Sequence, residues 1–175
     1  EHPRTYSEES FKWIAQRLNL NIIEISYPSR YGGNIRVVMG NGKQIKMNDI
    51  SSNSYLNRFK NMDKFIKKWK IEKKNEIQKL VDLYGPLRAK AFPGRAAILI
   101  KLLNLDNKSI KEIYEKDGSN KIGYYVPMSD IPIISDNEFS WKLDEPIVNF
   151  AWHINKEIQN YMRDRGFKGE IIDIL

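Results

Sequence analysis

A Pro-Gly-Arg turn in the stretch "LRAKAFPGRAAILIKLL" (residues 87–103) contains residue types that can bind an anion. Gly94 would let a ligand approach the backbone closely, and Arg95 could form paired hydrogen bonds with a phosphate. A helix that begins directly after the turn would add unpaired N–H groups and a partial positive charge. The same residues, with Pro93, also suit a turn that only reverses the chain, because they match neither the GxGxxG pattern nor the P-loop. The residues alone leave both interpretations open.

The two histidines of the chain, His2 and His153, are the other candidates for chemistry. A histidine near its ordinary pKa can act as a general base at neutral pH. The alternative for His2 is a solvated chain end. His153 follows Trp152 after an apolar segment, and there a packing or capping role is favoured over catalysis.

Composition narrows the class of protein. The chain has 175 residues, of which 41% are hydrophobic and 11% aromatic, so it is long enough to bury a core. No apolar run approaches the ~18 residues of a membrane span, so we expect a soluble protein without a membrane partner. The chain has no cysteine, which excludes disulfides and thiolate zinc ligands; we predict no metal site and expect a cytoplasmic location. Because the chain begins with Glu1 and not Met, we expect it to come from a longer protein.

The positive charge is concentrated in one segment. Residues 56–79 hold nine Lys or Arg against three Asp or Glu, a net +6 of the total +7. Apolar residues in this segment recur at helical spacing and predict one buried face. They are Phe59, Met62, Ile66, Trp69, Ile77, Leu80 and Tyr84. We expect the lysines to be solvated and nucleic-acid binding to be unlikely, because no zinc-finger spacing or ribonucleoprotein motif is present.

Helical and strand-like segments alternate along the chain. A first helix, with Ser7 as N-cap, is followed by two strands, "NIIEISY" and "NIRVVMG", and by a hairpin turn at "GNGK". The basic helix ends at Gly85-Pro86. Strand, turn and helix follow at residues 87–103, and short apolar segments then alternate with a last helix near residues 155–166. This order predicts an α/β fold with a mostly parallel sheet flanked by helices. In such a sheet the turn at residues 93–95 would lie at the carboxyl edge, where ligands bind.

Six blocks of the sequence, in order, resemble the C-terminal domain of sugar C-methyltransferases. The blocks are "EHPRTYSEESFKWIAQRLNL", "YGGNIRV", "AFPGRAAILIKLLNLD", "GYYVPMSDIPI", "FAWHINKEI" and "GEIIDIL". Members of that family use S-adenosylmethionine to methylate a carbon of a nucleotide-linked keto-deoxysugar. This chain departs from the usual family residues at Tyr31, where members carry His, and at Met128-Ser129, where members carry Gly-Thr.

The resemblance implies a Rossmann-like domain that follows a zinc domain and a methyltransferase domain. S-adenosylmethionine and zinc are expected only in those upstream domains, since this chain has neither zinc cysteines nor a glycine-rich fingerprint for the methyl donor. The partners are then the upstream methyltransferase domain and a nucleotide-linked sugar. The sugar nucleotide is expected at Pro93, Gly94, Arg95 and Gly33, while His2 would be the base, assisted by Glu1.

The predicted organisation has three parts within one compact domain. Residues 1–55 form a helix and strand segment that joins the upstream domains, residues 56–84 form the basic helix, and residues 85–175 form the Rossmann-like part that binds the sugar nucleotide. The alternative is a non-catalytic binding module. Such a module would bind a sugar nucleotide alone or dock an acidic partner through the basic helix.

Overall fold

The computed structural model describes residues 5–28, 34–47, 52–141 and 144–175, with side chains from residue 56 onward in the third range. Contacts divide the chain into two compact units, Glu1–Met62 and Asp63–Leu175. The predicted division at residues 55 and 84 stays a prediction. Among the described helices, none combines the length and apolarity that a membrane crossing needs.

The first unit contains one helix and a two-stranded antiparallel sheet. Helix α1 spans Glu8–Arg17, strand β1 spans Asn21–Ser26 and strand β2 spans Arg36–Gly40. Ser7 caps α1 as predicted: its side chain accepts from the Ser10 N–H, and the Ser10 side chain bonds back to the Ser7 backbone. The predicted hairpin at "GNGK" is wrong, because residues 43–47 form no strand after β2. The chain instead returns to β1, where Ile45 donates to the Ile22 carbonyl.

A helix shared by both units, α2 (Ser52–Tyr84), leads into the second unit, which holds a five-stranded sheet. The strands are β3 (Leu87–Lys90), β4 (Ile110–Glu115), β5 (Ile133–Ser135), β6 (Ile147–Asn149) and β7 (Ile171–Asp173). Their order is β5-β4-β3-β6-β7, and each neighbouring pair is parallel. Within the sheet this is the order 3-2-1-4-5 of a doubly wound fold. The predicted Rossmann-like α/β class is therefore confirmed.

Helices cover both faces of this sheet. Helices α2 and α3 (Ala96–Leu103) contribute Trp69, Ile77 and Ile100 to the larger core, together with apolar residues of β3, β4, β5 and β6. Helix α4 (Asn155–Asp164) contributes Met162 to a second core with Tyr114 and Ile147. Burial on both faces fits the apolar residues that adjoin each other in β5 and β6, Ile133-Ile134 and Ile147-Val148.

Helix α2 ends where the sequence predicts, because Gly85 adopts a left-handed conformation (φ 75°) directly after Tyr84. Its predicted buried face is only partly correct. Trp69 and Ile77 are buried, whereas Phe59, Met62 and Tyr84 are at least half exposed.

Two hydrogen bonds connect α2 to the last strand region of the second unit. The Trp69 indole donates to the Ile174 carbonyl (3.2 Å), and the Lys73 ammonium donates to the Asp173 carbonyl (2.9 Å). These residues are separated by about a hundred positions in the sequence, so the helix and the strand hold the unit together across its full length.

Candidate functional site

The carboxyl edge of the parallel sheet brings together the loops that follow β3, β4 and β6. The two central strands, β3 and β6, pair in parallel, and the strand order reverses between them. In open α/β sheets, ligands bind in the crevice outside the carboxyl ends at this switch point. The loop after β3, residues 91–95, and the short 3-10 helix after β6, Trp152–Ile154, both leave the sheet there.

The loop after β3 leads into the amino end of α3. Arg95 occupies the N-cap position, and Ala96 donates to the Pro93 carbonyl at 2.7 Å. Gly94 is exposed, and a Cβ at this position would meet no atom within 4 Å. The fold itself therefore does not require glycine here. Gly94 instead leaves the backbone uncovered beside the Arg95 side chain and the N–H groups at the start of α3.

Two charged residues hold the loop at Phe92. The Phe92 N–H donates to Oε1 of Glu115 (2.5 Å), and Nζ of Lys121 donates to the Phe92 carbonyl (2.7 Å). Lys121 and Glu115 also pair with each other at 3.4 Å. Just before, Ala91 adopts a left-handed conformation (φ 63°), and its N–H donates to the Tyr114 carbonyl. The loop is thus fixed by both backbone polar groups of Phe92 before it reaches Pro93.

A buried ion pair lies beneath this loop. Nζ of Lys90 is 2.7 Å from Oδ2 of Asp136, and the Tyr161 hydroxyl donates to the same oxygen (2.5 Å). Asp136 Oδ1 accepts from the Asp117 N–H, so both carboxylate oxygens are used. The Lys90 ammonium also lies 4.9 Å from the centre of the Tyr161 ring.

These contacts shift the pKa of each partner. Burial lowers the pKa of Lys90, although Asp136 opposes the shift. Burial would raise the pKa of Asp136, but the hydrogen bonds from Lys90 and Tyr161 outweigh it, and this pKa is lowered. Burial, with the hydrogen bond to Asp136, raises the pKa of Tyr161 to about 12. At neutral pH the tyrosine is therefore a hydrogen-bond donor to a charged carboxylate.

Arg95 and His153 lie within electrostatic reach of each other at the switch point. Burial lowers the pKa of His153, and the positive charge of Arg95 lowers it further, against the opposing effect of Glu157. His153 is therefore mostly neutral at neutral pH. A neutral imidazole adds no positive charge beside Arg95, and the packing or capping role of His153 stays a prediction.

A cavity of about 230 Å³ opens at the same edge. It is lined by Lys90, Ala91, Glu115, Lys116, Glu157, Ile158 and Tyr161. Residues of β3, β4 and α4 thus form its walls, and the loop that carries the Pro-Gly-Arg turn begins at one of them, Ala91. The described residues contain no cluster of three or more His, Cys, Asp or Glu with the spacing of a metal site.

Comparison with known proteins identifies the family. A family described as the C-methyltransferase C-terminal domain matches residues 30–172, which is most of the chain. This chain belongs to that family. No curated protein matches the chain. The predicted resemblance to the C-terminal domain of C-methyltransferases is therefore confirmed.

The predicted binding residues of this C-methyltransferase C-terminal domain fall into two groups. The structure brings Pro93, Gly94 and Arg95 together at the carboxyl edge, as the sequence predicts. Glu1, His2 and Gly33 lie outside the described residues, and Glu1 and His2 also precede the matched range.

Sequence reasoning missed the charged residues that support the site, Lys90, Glu115, Lys121 and Asp136. One feature of the sequence could have revealed Lys90. Lys90 lies between two alanines in a strand that must be buried on both faces, and a lysine at such a position needs a buried partner. Glu115 gave a weaker signal as an acidic residue at the end of an apolar strand.

Proposed function

We propose that this C-methyltransferase C-terminal domain binds the sugar nucleotide for an enzyme that methylates a carbon of a nucleotide-linked keto-deoxysugar. The observation that carries the proposal is the position of Pro93, Gly94 and Arg95. They lie at the amino end of α3, after the central strand β3 of a 3-2-1-4-5 sheet. A diphosphate placed there meets helix N–H groups, an uncovered glycine backbone and one guanidinium.

Each residue of the proposed site has a distinct role. Gly94 lets the diphosphate approach the backbone, Pro93 fixes the turn, and Arg95 binds the phosphate oxygens through paired hydrogen bonds. Gly33, which lies outside the described residues, is the proposed second contact to the sugar nucleotide. The partners of this chain are the nucleotide-linked sugar and a methyltransferase domain.

The proposed chemistry begins with proton removal next to the sugar ketone. His2 takes this proton and Glu1 orients the imidazole or stabilises its positive charge. The resulting enolate is nucleophilic at the carbon that becomes methylated. S-adenosylmethionine, bound in a domain outside this chain, would supply the methyl group to this carbon and leave as S-adenosylhomocysteine; zinc would also belong to that part of the enzyme. The cysteine-free chain is compatible with the reducing cytoplasm that we propose as its location.

The test is methyl transfer by the complete enzyme. The enzyme, S-adenosylmethionine and a panel of nucleotide-linked keto-deoxysugars are incubated together, and the products are weighed by mass spectrometry. We expect one sugar nucleotide to gain the mass of a methylene group. Methylation of an unrelated acceptor, with none of these sugars changed, would contradict the proposal.

The basic surface of α2 supports a second candidate, a non-catalytic module that docks an acidic partner. Lys67 and Lys68 each expose more than two thirds of their side chains. Their pairing with Asp63 (2.7 Å) and Glu72 (3.6 Å) reduces the free charge of this surface, which favours the first proposal. A gene that encodes a methyltransferase domain upstream in the same reading frame would decide between the two.

A further inference from the structure

We propose that Glu115 accepts a hydrogen bond from a ribose hydroxyl of the nucleotide, which makes it a specificity-determining residue of the site. The inference rests on the proposed function, since it requires a nucleotide at the turn of residues 93–95. The cavity at the carboxyl edge would hold the nucleoside part of this nucleotide.

The topology places Glu115 at the position where doubly wound sheets bind the ribose of a nucleotide. Glu115 is the last residue of β4, the strand next to the central β3, on the side away from the switch point. In sheets of this order that bind dinucleotides, an acidic residue about 20 positions after the phosphate turn bonds the ribose hydroxyls. Glu115 follows Arg95 at that separation.

The side-chain geometry leaves one carboxylate oxygen for a ligand. The Phe92 N–H and the Lys121 ammonium both contact Oε1 of Glu115, at 2.5 Å and 3.4 Å. Oε2 is then the remaining acceptor within the described part of the chain. Because Phe92 directly precedes Pro93, the same contact fixes the distance between this acceptor and the phosphate turn. A nucleotide bound by its diphosphate would present its ribose to a carboxylate that is already in place.

The size of the cavity fits a nucleoside and not a whole sugar nucleotide. Its volume of about 230 Å³ lies below the ~300–1,000 Å³ of pockets that enclose a complete drug-sized ligand. Glu115 lines it together with Lys90, Ala91 and Tyr161. The nucleoside would occupy this cavity, with the diphosphate at the turn and the deoxysugar outside, where a second domain can reach it.

The experiment compares two probes, uridine 5′-diphosphate and its 2′,3′-dideoxy analogue, by NMR titration of the whole 175-residue chain. Both probes carry the same base and diphosphate, so the ratio of their dissociation constants reports only the ribose hydroxyls. We expect the natural chain to bind uridine diphosphate about tenfold more tightly, as a hydrogen bond to a charged group predicts. Glu115→Gln retains a carbonyl oxygen for the Phe92 N–H but presents an amide N–H₂ to the ligand, and should bring the ratio close to one.

Lys121→Gln is the matched control, because it removes the cation that contacts the Phe92 carbonyl and Oε1 of Glu115 but leaves the carboxylate and its Oε2 in place. It should weaken both probes equally and leave the ratio of the natural chain. A ratio near one in the natural chain, or an unchanged ratio in Glu115→Gln, would overturn the inference while leaving diphosphate binding in place. Failure of the natural chain to bind either probe would overturn the proposed function, and this inference with it.

Discussion

Nζ of Lys90 lies 2.7 Å from Oδ2 of Asp136, and both side chains are about 95% or more buried. The pair connects the end of the central strand β3 to the 3-10 helix Asp136–Glu138 that follows β5, and Tyr161 extends the connection to α4. Buried pairs of this kind cost much desolvation, so their clearest effect appears when one partner is removed.

Lys90→Met should reduce the free energy of unfolding by about 3–5 kcal/mol, because it leaves the Asp136 carboxylate buried without its cation. Chemical denaturation followed by circular dichroism measures the change. Lys111→Met is the control, since Lys111 is more than half exposed and should change stability by about 0.5 kcal/mol or less. The double variant Lys90→Met, Asp136→Leu should recover part of the loss, and a double variant less stable than Lys90→Met would contradict this account.

Acid should destabilise the fold through Asp136. Its pKa is lower in the folded state than its ordinary value of 3.8, because Lys90 and Tyr161 donate to the charged form. The unfolded chain therefore binds more protons in this range, and stability rises with pH there. This contribution is complete above about pH 4 and is lost as pH falls through the lowered pKa. Denaturation curves between pH 2 and 6 should show a shallower pH dependence in Asp136→Asn, and an equal slope in both proteins would contradict the prediction.

Arg95→Ala should raise the dissociation constant for the sugar nucleotide in the complete enzyme by the equivalent of about 1.5–3 kcal/mol, the range for a hydrogen bond to a charged group. Calorimetry measures the constant, and circular dichroism checks the fold. Lys101→Ala is the matched control, because Lys101 lies in the last turn of the same helix, away from the proposed diphosphate. Unchanged binding in a folded Arg95→Ala protein would mean that the turn only reverses the chain.

Gly94 allows a separate test of the same turn. The space around its Cβ position is open and its φ is not left-handed, so Gly94→Val should leave the fold intact. In the complete enzyme the branched side chain would block the approach of the diphosphate, and binding should weaken at least as much as in Arg95→Ala. Unaltered binding, measured by calorimetry, would remove Gly94 from the proposed site.

Replacing Lys67, Lys68 and Lys70 together by Gln should change the free energy of unfolding by only about 0.5 kcal/mol, because the ion pairs of Lys67 and Lys68 on α2 are exposed. Retention on heparin should fall. Lys73→Gln is the informative comparison, since Lys73 is half-buried and bonds the Asp173 carbonyl, and this variant should lose more stability. Salt-dependent nucleic-acid binding that disappears in the triple variant would instead support a docking module.

The chain alone should not bind S-adenosylmethionine, because the proposed site for the methyl donor belongs to a separate domain. Calorimetry of the 175-residue chain should give no saturable heat. Binding at micromolar concentration would contradict the proposal that S-adenosylmethionine binds to a separate domain.

The sequence predicted several parts of this fold from local rules, although the hairpin predicted at "GNGK" was wrong. Gly85-Pro86 ends α2, and the alternation of strands and helices after it led to the parallel sheet and to the position of residues 93–95 at its edge. The Lys90–Asp136 pair could not be predicted in the same way, since its members are 46 residues apart and their proximity depends on which strands become neighbours. Phe59 and Met62 were predicted as buried on helical spacing, but spacing cannot tell which part of a long helix has a core beside it.

The hydrogen bond from Trp69 to the Ile174 carbonyl has a consequence for how the protein is made. Synthesis adds roughly 5–20 residues per second, and the chain folds only as it emerges from the ribosome. Trp69 and Ile77 emerge well before Ile174, with which they share the larger core, so this core lacks one of its fully buried residues for several seconds. The second unit therefore completes its larger core only after residue 174 has emerged from the ribosome.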